Sequence, residues 1–469
     1  MASQSIRFSK VLKRKEVLTL AFGAMVGWGW VVLAGEWANT AGSIGAILAF
    51  VIGGLMVCLV GLTYAELTSA MPLAGGEHNF SYRGLGLKAS FICTWAIILG
   101  YVSVCAFEAV ALPTVIEYIF PAYKYGYLWT IAGWDVYATW VAVGVIGSVV
   151  IAALNYYGIK PSTRVQLVLT VVLAVVGLLF ILGSLVNGEP SNMQPLIADG
   201  LKGILLVVIM TPFMFVGFDV IPQAAEEIDL PYRTLGLLIV LSVILATLWY
   251  ILIILGVSLA LAPDERSFAS VATADAMAAV YGNKLAADAL ILGGVAGILT
   301  SWNGFYIGAS RVIYAMGRAR MLPEWLGRLH PKHRTPSNAI ILIGILSALA
   351  PFFGRKMLVW LVDAGGFSIV IAYFMVALSF LVLRFREPDM KRPYKVKYGK
   401  AVGVIACLLS FGFILLYLPG APSALVWPYE WVIIVGWAIL GVIFYLWSAR
   451  AYGGEAEKIM YEEVYLREN

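Results

Sequence analysis

Two stretches decide the fold. One is Gly23-Ala-Met-Val-Gly27-Trp28-Gly29-Trp30 near the start of the chain; the other is Thr211-Pro212-Phe213-Met-Phe215-Val-Gly217-Phe218-Asp219 near its middle. Both lie inside long apolar runs that would otherwise read as unbroken helices. Closely spaced glycines weaken the first. Pro212 withholds a backbone donor from the second, and Gly217 loosens the following turn. In hydrocarbon an unpaired amide costs several kcal/mol, so unwound backbone persists only where it lines a cavity or a site. Taken singly, either glycine cluster could instead serve close helix packing. Two breaks at matching places in two five-helix halves are the mark of an inverted-repeat carrier with its site at the breaks.

The rest of the chain agrees with a membrane setting. Of 469 residues, 61% are hydrophobic and only 13% charged, whereas a soluble protein carries about a quarter charged residues. Cytosolic enzymes, nucleic-acid binders and disordered scaffolds are thereby disfavoured. A spanning helix needs roughly 20 apolar residues, and counting such runs gives about twelve. The expected fold class is therefore an all-α polytopic membrane protein. A basic segment at 1–16 precedes one membrane domain at 17–450, and a tail follows at 451–469. Within the domain, repeat one covers about 17–186, repeat two about 203–384, and two further helices about 400–449. Loops near Gly75–Gly86 and Ser267–Tyr281 read as partly helical and interfacial.

The first apolar run, from about Val17, is too long for the roughly 7–15 residues of a signal-peptide core. Cys58, Cys93, Cys105 and Cys407 sit in apolar runs without metal or redox spacing, so packed thiols are expected and no cofactor or structural metal. Basic residues supply an orientation. Placing both termini in the cytoplasm puts 26 of the 32 Lys and Arg inside, Arg7 and Arg467 among them, and 6 outside. Cytoplasmic retention of Lys and Arg produces such asymmetry. The expected location is the plasma membrane.

The broken segments and their surroundings resemble the amino acid–polyamine–organocation (APC) transporter superfamily over nearly the whole chain. Gly27-Trp28-Gly29 falls where that family has its Gly-small-Gly break. Tyr64-Ala-Glu66-Leu with Pro72-Leu-Ala-Gly75-Gly76 and Tyr82-Arg83 is similar to the family's second-helix exit. Phe215-Val-Gly217-Phe218-Asp219 with Ala225-Glu226-Glu227 resembles its sixth helix, and Ser310-Arg311 through Leu322-Pro323 the end of its eighth. The resemblance implies the leucine-transporter type of fold, two inverted five-helix repeats plus helices eleven and twelve, and alternating access for amino acids or related amines. Three departures stand out. Helix five has no central Lys, Trp28 stands where a small residue is usual, and residues 120–133 lack the Cys that would tie a disulfide-linked heavy chain.

A charge at mid-bilayer costs at least about 2.5 kcal/mol, so buried carboxylates are weighed first. Glu36 lies near the outer end of helix one, where water could solvate it. Glu108 in helix three and Asp219 after the second break are candidates for a coupling proton; pairing to a hydroxyl or a helix end is the plainer reading of each. Thr300 and Ser301, with Asn303, lie where the resemblance places a sodium site, although hydroxyls commonly bond back to helix carbonyls. Substrate-binding candidates are Gly27, Trp28, Gly29, Trp30, Phe213, Phe215, Gly217, Phe218 and Trp302; rings around a cation contribute about 0.5–2 kcal/mol each. Glu66, Glu226 and Arg311, with Arg318, could close the cytoplasmic side or form a solvated rim. All three histidines, His78, His330 and His333, fall in loops, which excludes a buried histidine relay. The expected partners are a small amine-bearing substrate, a coupling proton or sodium ion and the lipid bilayer, with no nucleic acid. The expected substrate is an amino acid, with an amine lacking a carboxylate as the alternative.

Overall fold

A computed structural model describes residues 8–269 and 271–466; Arg7 and Arg467 lie outside the described residues. Among the described residues, ten helices are long and apolar enough to cross a membrane. The twelve expected runs are thus not twelve unbroken spans. The first yields three short helices, α1 (Arg14–Met25), α2 (Gly29–Val32) and α3 (Ala34–Ala41). The second and third are continuous, α4 (Ser43–Ala70) and α6 (Leu87–Ile119), with α5 (Glu77–Leu85) between them. Then come α7 (Ala138–Tyr156) and α8 (Ile159–Asn187). The sixth run is again split, into α9 (Gly200–Val208), α10 (Thr211–Phe215) and α11 (Val220–Gln223). After α12 (Tyr232–Ala260), the short α13 (Pro263–Phe268) and α14 (Ala272–Tyr281) lead into α15 (Lys284–Arg318). The ninth run, α16 (Ser337–Leu349), is short and finishes in a 3₁₀ turn. The chain closes with α17 (Met357–Arg386), α18 (Gly399–Tyr417), α19 (Tyr429–Tyr452) and α20 (Glu455–Tyr461).

α4 lies along α12, and α6 along α15. α6 is the central post, 89% buried over its apolar window, whereas α18 and α19 are 28% and 11% buried. Val432, Ile439 and Leu446 of α19 are exposed, an apolar surface that water would penalise and lipid accepts. The sequence reading did not anticipate one feature, a hairpin of β1 (Tyr127–Ile131) and β2 (Trp134–Tyr137). Its aromatic and β-branched residues flank Ala132-Gly133, both at positive φ, which is strand–turn–strand chemistry.

The two loops expected to be interfacial are helical but not peripheral. Glu77, His78, Asn79, Phe80, Ser81 and Tyr82 of α5 are all buried, against α6 and α17. α14 likewise packs under α15, α12 and α2. These polar segments re-enter the body because neighbours satisfy them: His78 Nδ1 lies 3.2 Å from both Ser90 and Thr94 hydroxyls. The tail is docked as well as charged, with Met460 and Val464 buried and the Tyr82 hydroxyl donating to Glu457 at 2.9 Å.

Close helix approach is concentrated at glycines facing rings. A Cβ on Gly177 of α8 would overlap the Trp249 indole of α12. Overpacking of this kind costs about 1–3 kcal/mol. Gly177→Ala is expected to lower the melting temperature of the purified protein, and Trp249→Phe in the same background to restore part of the loss. Equal melting temperatures for wild type and Gly177→Ala would contradict the packing described.

Candidate functional site

The two broken stretches meet backbone to backbone. A Cβ on Gly217, whose φ is +133°, would lie 2.8 Å from the Met25 amide nitrogen and 3.0 Å from the Ala24 carbonyl carbon. One on Gly29 would lie 2.6 Å from Met214 Sδ. Only glycine allows both the left-handed φ and this approach. Pro212 sits in the first turn of α10, where its missing N–H is no loss. The break falls after it, at Val216–Asp219, with the Gly217 amide donating to Asp219 Oδ1 at 2.8 Å. The freed carbonyl of Met25 accepts the Tyr250 hydroxyl at 2.7 Å.

Glu108 of α6 faces the first break. Its carboxylate contacts the Ser301 hydroxyl and the Trp28 backbone amide, and a Cβ on Gly27 would overlap it. Thus an amide freed by the break already faces a carboxylate, and that carboxylate belongs to the protein. Glu108 Oε2 is buried and has no partner. α15 runs alongside: a Cβ on Gly297 would meet the carbonyls of Gly27 and Val26 at 2.8 and 3.1 Å. Thr300 donates back to the Gly297 carbonyl at 3.0 Å, the ordinary helix hydroxyl bond. Asn303 belongs to a separate network, accepting from Asn155 (2.9 Å) and Ser162 (2.7 Å) and donating to Gln166 (2.8 Å). Gln166 and Thr170, where helix five lacks a Lys, both reach the Thr19 carbonyl of α1.

The aromatic candidates do not form one cage. Phe213 packs on Phe107 with centroids 5.5 Å apart, beside the break. Phe218 sits between Tyr64 and Tyr373 on the termini side of it. Trp30, Phe215 and Trp302 turn elsewhere: Trp30 onto Trp249, Phe215 onto Phe50 and Tyr250, and Trp302 toward Gly147 with its N–H on Ser347. Helical rotation decides this, because residues two apart in a turn point to different neighbours. Trp28 does not fill the groove between the breaks. Its ring lies against Gly294 and lines a small cavity with Thr114, Tyr118 and Arg355.

A larger cavity, about 500 Å³, opens on the face away from the termini; Val32, Leu33, Phe107, Met210 and Val362 line it with Glu36 and Arg266. Glu36 is exposed there. On the termini face the charged candidates are held in buried or half-buried ion pairs. Arg311 bonds Glu227, not Glu226, at 2.8 and 3.0 Å, both 2% exposed or less. Burial raises the Glu227 pKa, and Arg311 opposes the rise. Glu226 instead accepts the Ala74 amide at 3.4 Å. Glu66 ties Arg384 and Arg392, and Arg318 pairs with Glu463 of the tail. Val11 and Leu12 donate to the Glu227 carbonyl at 2.8 and 3.0 Å, drawing the N-terminal segment over the same point. Among the described residues no cluster of His, Cys, Asp and Glu could hold a metal ion.

Two broken helices in backbone contact, within a bundle of apolar helices, are the architecture of a polytopic membrane transporter. The amino acid permease family matches residues 12–445, and the chain belongs to that family, within the APC superfamily. It is 30% identical over 462 residues to a branched-chain amino acid permease of Bacillus subtilis (strain 168), covering 94% of each chain. It is 26% identical over 466 residues to the methylthioribose transporter of the same organism, covering 96% of this chain and 95% of that one. A vacuolar cationic amino acid transporter 2 of Arabidopsis thaliana is 29% identical over 409 residues, 82% of this chain and 62% of its own. The protein is a multi-pass membrane transporter of amino acids or related organic solutes, and not an enzyme.

Removing one partner of a buried ion pair strands the other and costs about 3–5 kcal/mol. Arg311→Met should therefore lower the melting temperature strongly, and Glu227→Met added to it should recover most of the loss. A double variant no more stable than the single one would show that the pair is not what links these helices.

Proposed function

We propose that the protein imports an amino acid across the plasma membrane by alternating access, in symport with an ion, its two halves acting as inverted repeats. The observation carrying this reading is the backbone contact of the two unwound segments, beside a cavity away from the sealed termini face that Val32, Leu33 and Met210 of the same two broken helices line. With the termini cytoplasmic, as the distribution of Lys and Arg favours, this is an outward-facing arrangement. A substrate ammonium would meet the carbonyls of the Phe213–Gly217 stretch, and a carboxylate the first-turn amides of α2 that Glu108 leaves open. Such amides have no partner inside their own helix. The apolar walls, Val32, Leu33, Phe107, Met210 and Val362, suit an aliphatic side chain. That choice also follows the name of the branched-chain permease relative. Arg311 with Glu227, Glu66 with its two arginines, and Glu226 form the closed cytoplasmic gate.

Glu108 supports a second reading. A buried carboxylate at the break would pair with a substrate cation directly, which suits an amine without a carboxylate of its own. Thr300 and Ser301 remain the candidates for a sodium ion, and Glu108 and Asp219 for a proton.

A thermal-shift panel separates the readings. A ligand at 100 times its dissociation constant stabilises the folded state by about 2.7 kcal/mol, a readily measured shift. Leucine, isoleucine and valine should raise the melting temperature of wild type, and their decarboxylated amines should not. Glu108→Gln should keep the leucine response. Stabilisation by the amines alone, lost in Glu108→Gln, would establish the second reading instead.

A further inference from the structure

A second polar island lies on the termini side of the break, and nothing in the substrate site uses it. Asp219 gives Oδ1 to the Gly217 amide; its Oδ2 is shut off from solvent without a partner. Opposite it is Glu77, the first residue of α5 and fully buried. One Glu77 oxygen accepts the Gln223 side-chain amide, and the other has no partner. The Tyr373 hydroxyl and Gln223 Oε1 are buried and unpartnered too, and the Tyr64 hydroxyl faces Glu77. The Tyr101 hydroxyl lies 3.5 Å from Gln223 Nε2 and contacts Asp219. Three tyrosine hydroxyls and one side-chain amide thus surround the two carboxylates.

The groups that face Glu77 come from every packed element: Tyr64 from α4, Cys93 and Tyr101 from α6, Asp219 and Gln223 from the sixth helix, Tyr373 from α17. None is basic. His78, next in sequence, turns to Ser90 and Thr94, and burial depresses its pKa to about 3, so it is neutral. Arg311 and Arg318 are committed to Glu227 and Glu463. Two ionised carboxylates linked through Gln223 and Tyr101 in a dry site repel each other, and each bears its own desolvation cost. One undissociated carboxyl removes the repulsion.

Backbone geometry joins this pair to the moving parts. Gly76, at φ +37°, is pressed onto α11: its Cβ position lies 2.9 Å from Pro222 Cβ and 3.3 Å from Gln223 Nε2. The pair therefore bridges α5 and α11.

We propose that Glu77 and Asp219 share one exchangeable proton while the termini face is closed and release it to water on that face when α5 and α11 part. The next proton then comes from the opposite face, through the cavity. This pair, and not Glu108 or the hydroxyls of α15, carries the coupling proton. The proposal rests on the reading of the protein as an ion-coupled importer. Its sign follows from Glu77. Burial, then the charge of Asp219, raise the Glu77 pKa in the closed form, so low pH favours closure. Once water reaches the separated carboxyls the pKa falls toward the ordinary glutamate value, about 4.3, and the proton leaves.

Proteoliposomes loaded with leucine test this. Counterflow of labelled leucine at equal pH on both sides reports substrate exchange alone; uptake into empty vesicles with the outside acidic reports coupling. Wild type should show both, with accumulation rising by up to about tenfold per unit of pH gradient for one coupled proton. Glu77→Gln should still catalyse counterflow but accumulate no more leucine with the gradient than without it. If Glu77→Gln keeps the gradient response, or if sodium replaces the proton in wild type, the proposal is overturned while amino acid transport stands. Absence of counterflow in wild type would instead remove the functional reading beneath it. Should Glu77→Gln not fold, infrared difference spectra of wild type supply the same decision. A buried protonated-carboxyl stretch must disappear on alkaline titration and be missing in Asp219→Asn, and a spectrum without it overturns the proposal.

Discussion

Everything in this structure answers to one constraint: inside a bilayer, each backbone N–H and C=O needs a partner supplied by the protein. Most of the chain meets it with unbroken helices. The first and sixth helices do not, and the structure supplies partners from outside. Tyr250 takes the Met25 carbonyl, Asp219 the Gly217 amide, and Glu108 faces the Trp28 amide. The surrounding helices are held where those three side chains must be, and the glycines lie where the two breaks touch. A site rich in partly satisfied polar groups is thereby available at the centre of an apolar molecule.

The two faces are built differently. Away from the termini, the cavity is walled by apolar side chains with Glu36 and Arg266 among them. The termini face is held by buried ion pairs, by the N-terminal segment hydrogen-bonded to Glu227, and by the tail. Buried pairs offset large desolvation costs and gain little net stability. Their value here is in specifying one arrangement of these helices and the terminal segments.

Much of this was legible beforehand. Composition and apolar run length yield a membrane bundle, because lipid leaves few alternatives to helices. The breaks at Gly27–Gly29 and Gly217 are readable because glycine clusters in lipid need a reason. The buried carboxylates Glu108 and Asp219 stand out for the cost of a charge at that depth. Glu77 was not legible: its neighbours Gly75-Gly76 and His78-Asn79 read as a polar loop, and nothing local says that the loop folds inward. Asn155, Ser162 and Gln166 were passed over for the same reason, since single polar residues in apolar helices gain meaning only when a distant partner is known.

The sequence by itself determined the class of protein, the places where its helices fail and the residue types able to fill the gaps, since these follow from hydrophobicity, run length and backbone chemistry. The tertiary structure alone decided the partners. It sent Arg311 to Glu227 and not Glu226, turned Trp30 and Trp302 away from the site, and placed Glu77 against Asp219, 142 positions away in the chain. Pairing of that kind depends on helix rotation and on the return of distant segments to one point, and neither is written in any local stretch of residues.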